Sequence, residues 1–475
     1  MLFTNGIYFV FIIAAFFLYW MIAARAGWRI MFLAFASCFI YWQGAGRALI
    51  LLVAVSAIDY STTRLMTRTE NQRRRRLMLS ISLVIDIGAL CVFKYANFFI
   101  ESVAGAASSI GVSIAPAHFK IIAPVGISFF IFQSIAYVID VYRKDTEPAR
   151  SYAEYLTFVS FFPTIVAGPI LRARQLLPQL RSQITLDTAM GGQALFLIAI
   201  GLIKKFAIAD YLSANLVDRV FDFPERFSSL EVLAAIYGYA LEIYADFSGY
   251  SDIAIGSAML FGFRLPANFK APYSACDLPD FWRRWHISLS TWLRDYVFFA
   301  LVGKRARNTV VLYSGLVVTM LVGGLWHGPT WTFVFWGLLH GTGLVAVRAF
   351  SSARKRFGFT KQNNAWARAL SIFLTFQFVC LAWVFFRAET LERAFALLSQ
   401  LIAFHMDTAN LAAPVLLIIA FGFAAHFVND RRWESFQKGF IRLPAFAQAC
   451  VLFALAMGLY FVASSDVVPF IYSRF

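Results

Sequence analysis

The chain has 475 residues, of which 60% are apolar and only 14% charged, against ~25% charged in a soluble domain. With a mean hydropathy of +0.67, this excludes an ordinary soluble fold. The formal charge of +16 would favour nucleic-acid binding in a soluble protein. Here the basic residues fall in short segments between apolar runs, as the positive-inside rule places them, and no aromatic-basic nucleic-acid motif stands out. The five cysteines, Cys38, Cys91, Cys276, Cys380 and Cys450, are scattered without a CxxC pair, which argues against a zinc site or a disulfide framework.

The reading is therefore an all-α, polytopic integral membrane protein. A span needs ~20 mainly apolar residues. Segment 2–24 meets that, and with no side-chain positive charge over 1–9 it reads as a retained first span, not a cleaved signal. Segments 28–42 and 48–66 follow, then Arg68 and the four arginines 73–76. Those charges belong in the cytoplasm, so three preceding spans put the N-terminus outside. Segment 77–100 returns outward, 101–120 is a Gly/Ala/Ser-rich outer loop containing His118, and 121–141 comes back to Arg143-Lys144.

Segment 152–170 contains Pro163, Gly168 and Pro169, which fits a broken or re-entrant segment. Such backbone is tolerated where protein buries it or a cavity wets it. Segment 192–212 carries Lys204-Lys205, which either snorkel to the cytoplasmic face or face an interior site. Segments 231–247 and 253–263 flank Asp246-Phe247-Ser248-Gly249-Tyr250-Ser251-Asp252, and 265–280 is a proline-bearing loop. Residues 281–295 are amphipathic and aromatic, expected as an interfacial or partly buried helix. Lys304, Arg305 and Arg307 form another inside-type cluster. Apolar runs 309–326 and 331–347 lead to a basic loop (Arg348 to Lys361) and then to 370–386. A surface helix is expected over 391–404, with Phe395, Leu398 and Ile402 at helical spacing. Segments 412–427 and 446–463 close the chain. The total expected is 11 to 14 membrane segments, some re-entrant or interfacial, with no internal repeat of the transporter kind.

The phrase that stands out is Gly323-Gly324-Leu325-Trp326-His327-Gly328-Pro329-Thr330-Trp331. Its glycines and proline predict a break, and an ionisable group at hydrocarbon depth points to function. The alternative is a histidine in a membrane turn, bonded to a backbone carbonyl. Three of the six histidines, His286, His327 and His340, fall close together in sequence. His340 is thirteen residues after His327, roughly 220° around an unbroken helix. No HExxH pair is present, so no metal site is expected. A neutral imidazole, with an unperturbed pKa of ~6.5, suits a general base, and His327 would then activate a hydroxyl. No GxSxG elbow exists to supply a serine nucleophile. Asp246 and Asp252 either orient a histidine, pair with Arg283 or Arg284, or cap helix ends. Arg283, Arg284 and Arg294 either grip a phosphate or carboxylate or form an ordinary basic face.

The ordered motifs resemble the membrane-bound O-acyltransferases, in the bacterial branch of alginate O-acetylation membrane proteins. They are Pro124-Val125-Gly126-Ile127-Ser128-Phe129-Phe130, Phe161-Phe162-Pro163 through Ala167-Gly168-Pro169-Ile170, the 246–252 and 281–295 stretches, and Gly324–Trp331. Leu339-His340-Gly341, Phe385-Phe386-Arg387-Ala388 and Pro469-Phe470-Ile471-Tyr472 complete the set. The resemblance implies a single membrane domain, 1–475, with helices around a central tunnel and 121–345 as the catalytic core. It implies His327 as the catalytic histidine, acting as base or acyl relay, and His286 as the second. Trp326, Asp246, Arg283, Arg284, Arg294 and His340 are further candidates for substrate binding. The implied donor is acetyl-CoA or another acyl thioester on the cytoplasmic side of a bacterial inner membrane, with no bound cofactor. The implied partners are membrane lipid, an exported polysaccharide acceptor and a periplasmic esterase-like transferase. One departure is visible: Leu301-Val302-Gly303-Lys304-Arg305 stands where the family often has a Leu-Gly-Gly-Asn-Arg-like phrase. D-alanyl transfer to teichoic acid, a transporter without chemistry, and a scaffold for a periplasmic transferase are the alternatives. Span counting puts the turn at His327 toward the outer side. A reaction linking a cytoplasmic donor to an outside acceptor instead expects His327 at the narrow middle of the tunnel.

Overall fold

A computed structural model describes residues 6–113, 115, 119, 123–165, 168–303, 308–358 and 364–462. The regular elements among these residues are all helices, with no strand. Six helical stretches are long and apolar enough to cross a membrane. The bent pair Ala413–His426 and Asp430–Arg442, at 98°, makes a seventh if taken as one span. Two of the six, Ala26–Thr67 and Gln72–Ser109, run to 42 and 38 residues, about twice the ~20 a single crossing needs. The 11 to 14 segments read from sequence included these pieces separately, along with shorter helices such as Gly6–Ile22. Large apolar side chains such as Phe17, Met21, Phe35, Trp366 and Phe446 are exposed, as a lipid-facing surface requires.

The chain forms two compact units, Met1–Ala194 with Ala254–Pro266, and Leu195–Ile253 with Ala267–Phe475. In the first, two arginines act as internal staples. Arg29, 2% exposed, donates to the carbonyls of Ala23, Leu180 and Ser182. Arg75 donates to those of Met66 and Tyr142, so one member of the 73–76 run is buried, not solvated. A guanidinium satisfies orphan helix-end carbonyls well because its five donors fan out in a plane. Asn71 caps the helix Gln72–Leu90, accepting from the backbone N–H groups of Arg73 and Arg74. The stretch expected to be broken is so: Tyr152–Ser160 is helical and Phe161 leaves the helix. The stretch read as an outer loop from 101 instead continues the helix Ala96–Ser109. His118 lies outside the described residues, as do 304–307, Lys361 and the closing motif 469–472.

In the second unit, the 246–252 motif does not separate two helices. One helix, Ser229–Leu260, runs through it. Its polar residues do not break it, because the backbone ladder continues and Ser248, Ser251 and Asp246 are buried against protein. Gly249 and Gly201 cross backbone to backbone: a Cβ on Gly249 would lie 2.7 Å from the Gly201 carbonyl oxygen. That approach brings Lys204 to within 2.6 Å of Asp252, and Lys205 to within 2.6 Å of Asp210 and 2.7 Å of Asp246. The two lysines therefore take the interior alternative, not the snorkelling one. The surface helix Leu391–Leu401 forms where expected, but it buries Ala394 and Leu397 while Phe395 and Ile402 are exposed. Spacing alone identifies a helical stripe, not which stripe finds a partner. Asp430–Arg442, between the last two apolar segments, is an amphipathic helix.

Candidate active site

His327 is the last residue of the helix Thr309–His327. The helix stops there because Gly328 precedes a proline, and a pre-proline residue is driven out of helical geometry into extended backbone. Gly328 has φ −164° and ψ 155°. The next helix, Trp331–Arg356, returns against the first. Gly323 and Gly324 stay within the first helix, contrary to the break expected there, and they serve packing. A Cβ on Gly324 would lie 2.2 Å from the carbonyl oxygen of Phe333, and one on Gly337 would lie 2.5 Å from that of Met320. Gly337 and Gly341 form a small-xxx-small pair of the kind that lets membrane helices touch closely. His340 lies between them on the same helix.

His286 is fully buried and left-handed, with φ 40° and ψ 57°. That region is costly for a residue with a side chain and persists only where surroundings impose it. The imposing strand of chain is 268–270. Ile287 N–H donates to the Asn268 carbonyl and Lys270 N–H to the Arg284 carbonyl, both at 2.9 Å. Ser290 N–H then donates to the His286 carbonyl, opening the short helix Ile287–Trp292.

Trp326 joins the two histidines. Its ring lies 5.7 Å from that of His286 and 4.9 Å from that of His327, edge-on to both. Beyond His327 the ring contacts continue to Trp336 at 5.1 Å and from there to His340 at 4.8 Å. Phe386 and Phe333 also face His327, and Phe247 meets His286 edge-on at 4.5 Å. The three histidines thus occupy one buried aromatic cluster in the second unit. The 220° separation on an unbroken helix does not apply, because the chain turns back at Gly328-Pro329.

The three histidines differ in setting. His340 packs among Phe281, Trp282, Trp336 and Phe378, and neither of its ring nitrogens has a hydrogen-bond partner among the described residues. His286 stands beside the polar Asn268 and Ser288.

The remaining candidates are brought less close. Asp246 lies in mid-helix, not at a helix end, and pairs with Lys205. Its neighbour Phe247 is what touches His286. Arg283 and Arg284 both pair with Asp280, at 3.3 and 3.1 Å, and Arg294 pairs with Asp295 at 2.8 Å. The Arg283 and Arg294 side chains are more than half exposed, unlike the buried histidines. Burial pushes the Asp280 carboxyl up. Hydrogen bonds from Arg284 and the Cys276 N–H, with the charges of both arginines, outweigh it and hold that carboxyl below the usual range. Sequence reasoning left Lys205 open between two settings and missed Asp210, Trp336 and Asn268. Asn268 had no signal beyond being a polar residue in a proline-bearing loop. The lysine offered one, since a charge inside an apolar run calls for a buried partner.

The profile of the membrane-bound O-acyltransferase family matches residues 147–386, which hold all of these groups from Lys205 to Phe386. The chain belongs to that family. It is a multi-pass membrane O-acyltransferase, and its reaction takes an acyl donor. It is similar to the probable alginate O-acetylase of Azotobacter vinelandii, 40% identical over 80% of this chain and 70% of that protein. The peptidoglycan O-acetyltransferase of Helicobacter pylori is 32% identical over 94% of this chain and 91% of its own length. The teichoic acid D-alanyltransferase of Streptococcus thermophilus is 31% identical over 55% of this chain and 68% of that protein.

Proposed function

We propose that this O-acyltransferase moves an acetyl group from a cytoplasmic thioester, acetyl-CoA or a close relative, toward hydroxyls of an exported polysaccharide. The observation that carries the reading is that His286 and His327 both pack edge-on with the ring of Trp326. In this reading His327 removes the proton from the attacking hydroxyl, or carries the acyl group in transit. In the first route the oxygen bonds to the thioester carbonyl carbon, the carbon–sulfur bond breaks, and the proton held on His327 goes to the departing thiolate. His286 positions or polarises the reacting groups. A base so placed contributes ~10²–10⁴-fold to rate. A cytoplasmic donor and an outside acceptor require His327 at the narrow middle of a through-going tunnel, within one domain, 1–475, whose catalytic core is 121–345. The setting is the bacterial inner membrane with the N-terminus outside, and a periplasmic esterase-like transferase completes delivery. The polysaccharide acceptor is supported by the alginate and peptidoglycan relatives, which align over far more of the chain than the D-alanyltransferase does.

The test is His327→Ala in membranes that still hold folded protein, with labelled acetyl-CoA followed into product by mass spectrometry. Transfer should fall by ~10²-fold or more; undiminished transfer removes His327 from the mechanism. Movement of substrate with no acyl bond made would instead identify a transporter. Intact product acylation in a His286/His327 double variant would identify a scaffold.

A further inference from the structure

We infer that Asn268 is a positioning residue that holds His286 as its Nδ1–H tautomer, so that the imidazole lone pair lies on Nε2. The inference rests on the reading of His286 as a working residue and extends it to the direction of its proton.

The orientation of the Asn268 amide follows from its neighbours. The Ser288 backbone N–H can only donate, and it lies 3.1 Å from the Asn268 side chain. The atom it meets must therefore be the amide oxygen, Oδ1. The Ser288 hydroxyl donates to the same oxygen at 2.9 Å. The amide nitrogen Nδ2 then faces the Ser251 hydroxyl at 3.5 Å, a group able to accept. Oδ1 also lies 3.3 Å from His286 Nδ1. Two lone pairs cannot form a hydrogen bond, so Nδ1 carries the hydrogen and Oδ1 accepts it. The Ser288 oxygen, 3.4 Å from Nδ1, has its own hydrogen committed to Oδ1 and presents lone pairs to the ring. Both neighbours thus select the same tautomer.

Backbone geometry makes the selection rigid. The Asn268 carbonyl accepts from Ile287 N–H while its side chain accepts from Ser288 N–H. One residue therefore grips both positions that follow His286 and imposes its left-handed backbone. His286 and Asn268 are 0% and 1% exposed, so water does not compete for these groups.

The chemistry of the gripping atom matters as well. An amide oxygen orients a neutral imidazole without offering the negative charge that stabilises an imidazolium. The rings of Phe247, Phe269 and Trp326 also stand against His286, and none of these, nor Ser288, is titratable in the working range. Next along those elements are Asp246, paired with Lys205, Lys270, facing Asp430, and His327, and on its own segment Arg284, paired with Asp280. His286 is thereby set to accept a hydrogen bond or a proton at Nε2, not to donate one there.

The experiment uses the full-length protein in lipid bilayers, with ¹⁵N-labelled histidine and solid-state NMR. The His286 signals are assigned by their loss in His286→Gln. The expected spectrum shows the Nδ1–H tautomer in the wild type and a mixture of tautomers in Asn268→Ala. An Nε2–H tautomer in the wild type overturns the inference. Kinetics give the second readout. Asn268→Ala should lower kcat by ~10–100-fold, part of a base's full contribution, with KM for the acyl donor nearly unchanged. Asn268→Asp keeps the acceptor oxygen that meets Ser288 and His286 and adds a charge that favours imidazolium. It should restore kcat at alkaline pH and move the acid limb of the profile to higher pH by ~1 unit or more. An Asn268→Asp profile superimposable on that of the wild type overturns the inference. Undiminished transfer by His286→Ala would overturn the reading of His286 as a working residue, whereas the tautomer stands or falls on the spectrum.

Discussion

Replacing Lys205 with methionine should damage this protein more than replacing either acid that faces it. Lys205 is 1% exposed and lies 2.6 Å from Asp210 and 2.7 Å from Asp246, themselves nearly buried. Removing one partner of a buried ion pair costs ~3–5 kcal/mol, because the remaining charge is left without compensation. Lys205→Met strips the shared cation from two carboxylates at once, so the upper end of that range is expected. Asp246→Asn instead leaves Lys205 with Asp210 and forfeits one charge-assisted hydrogen bond, ~1.5–3 kcal/mol. Against a total stability of ~5–15 kcal/mol, the first change removes about a third or more and the second a smaller share. The assay is the fraction of full-length protein still monodisperse on size exclusion after heating in detergent. The midpoint should fall in the order wild type, Asp246→Asn, Lys205→Met. The triple variant Lys205→Met/Asp210→Asn/Asp246→Asn should recover part of the loss, since it leaves no bare charge. A Lys205→Met protein as heat-stable as Asp246→Asn would refute the reasoning.

Other substitutions probe the site's surroundings. Gly324→Ala places a Cβ against a backbone oxygen, not a movable side chain. Overpacking of ~1–3 kcal/mol should lower both folded yield and transfer, whereas Gly439→Ala, with open space around it, should be neutral or slightly stabilising. His340→Phe should retain transfer within ~3-fold, because both nitrogens of His340 are buried without partners and an apolar ring of similar shape avoids that cost; loss as large as in His327→Ala would give His340 a chemical role. Asp280, held below its ordinary value by Arg284 and Arg283, stabilises the folded form above the ordinary carboxylate range near ~4. That contribution is lost as pH falls through the lower folded value. Asp280→Asn should therefore flatten the acid side of the thermal midpoint against pH, and an unchanged curve would show that the clasp contributes nothing.

Much of this was readable without coordinates. Membrane residence follows from composition alone, since 14% charged residues cannot clothe a soluble surface of this size. The helix stop at His327 follows from Gly328-Pro329, because the pre-proline restriction is local. His286 and His327 stood out as candidates through motifs that resemble a family. Which groups meet was not. The 246–252 stretch read as an interruption because its polar residues look out of place in an apolar run, and only their buried contacts explain why the helix continues.

The sequence by itself determined the solvent the protein lives in, the helical class, the break after His327 and the residue types available for acyl transfer. These rest on composition and on interactions between chain neighbours. Tertiary structure alone decided that Trp326 joins His286 to His327, that Lys205 takes both Asp210 and Asp246, and that Asn268 governs the proton on His286. Apart from the near neighbours Lys205 with Asp210 and Trp326 with His327, those pairings cross eighteen to forty-one positions of chain. They depend on how closely backbones approach at Gly201 and Gly249 and at Gly324 and Gly337, which no local propensity encodes.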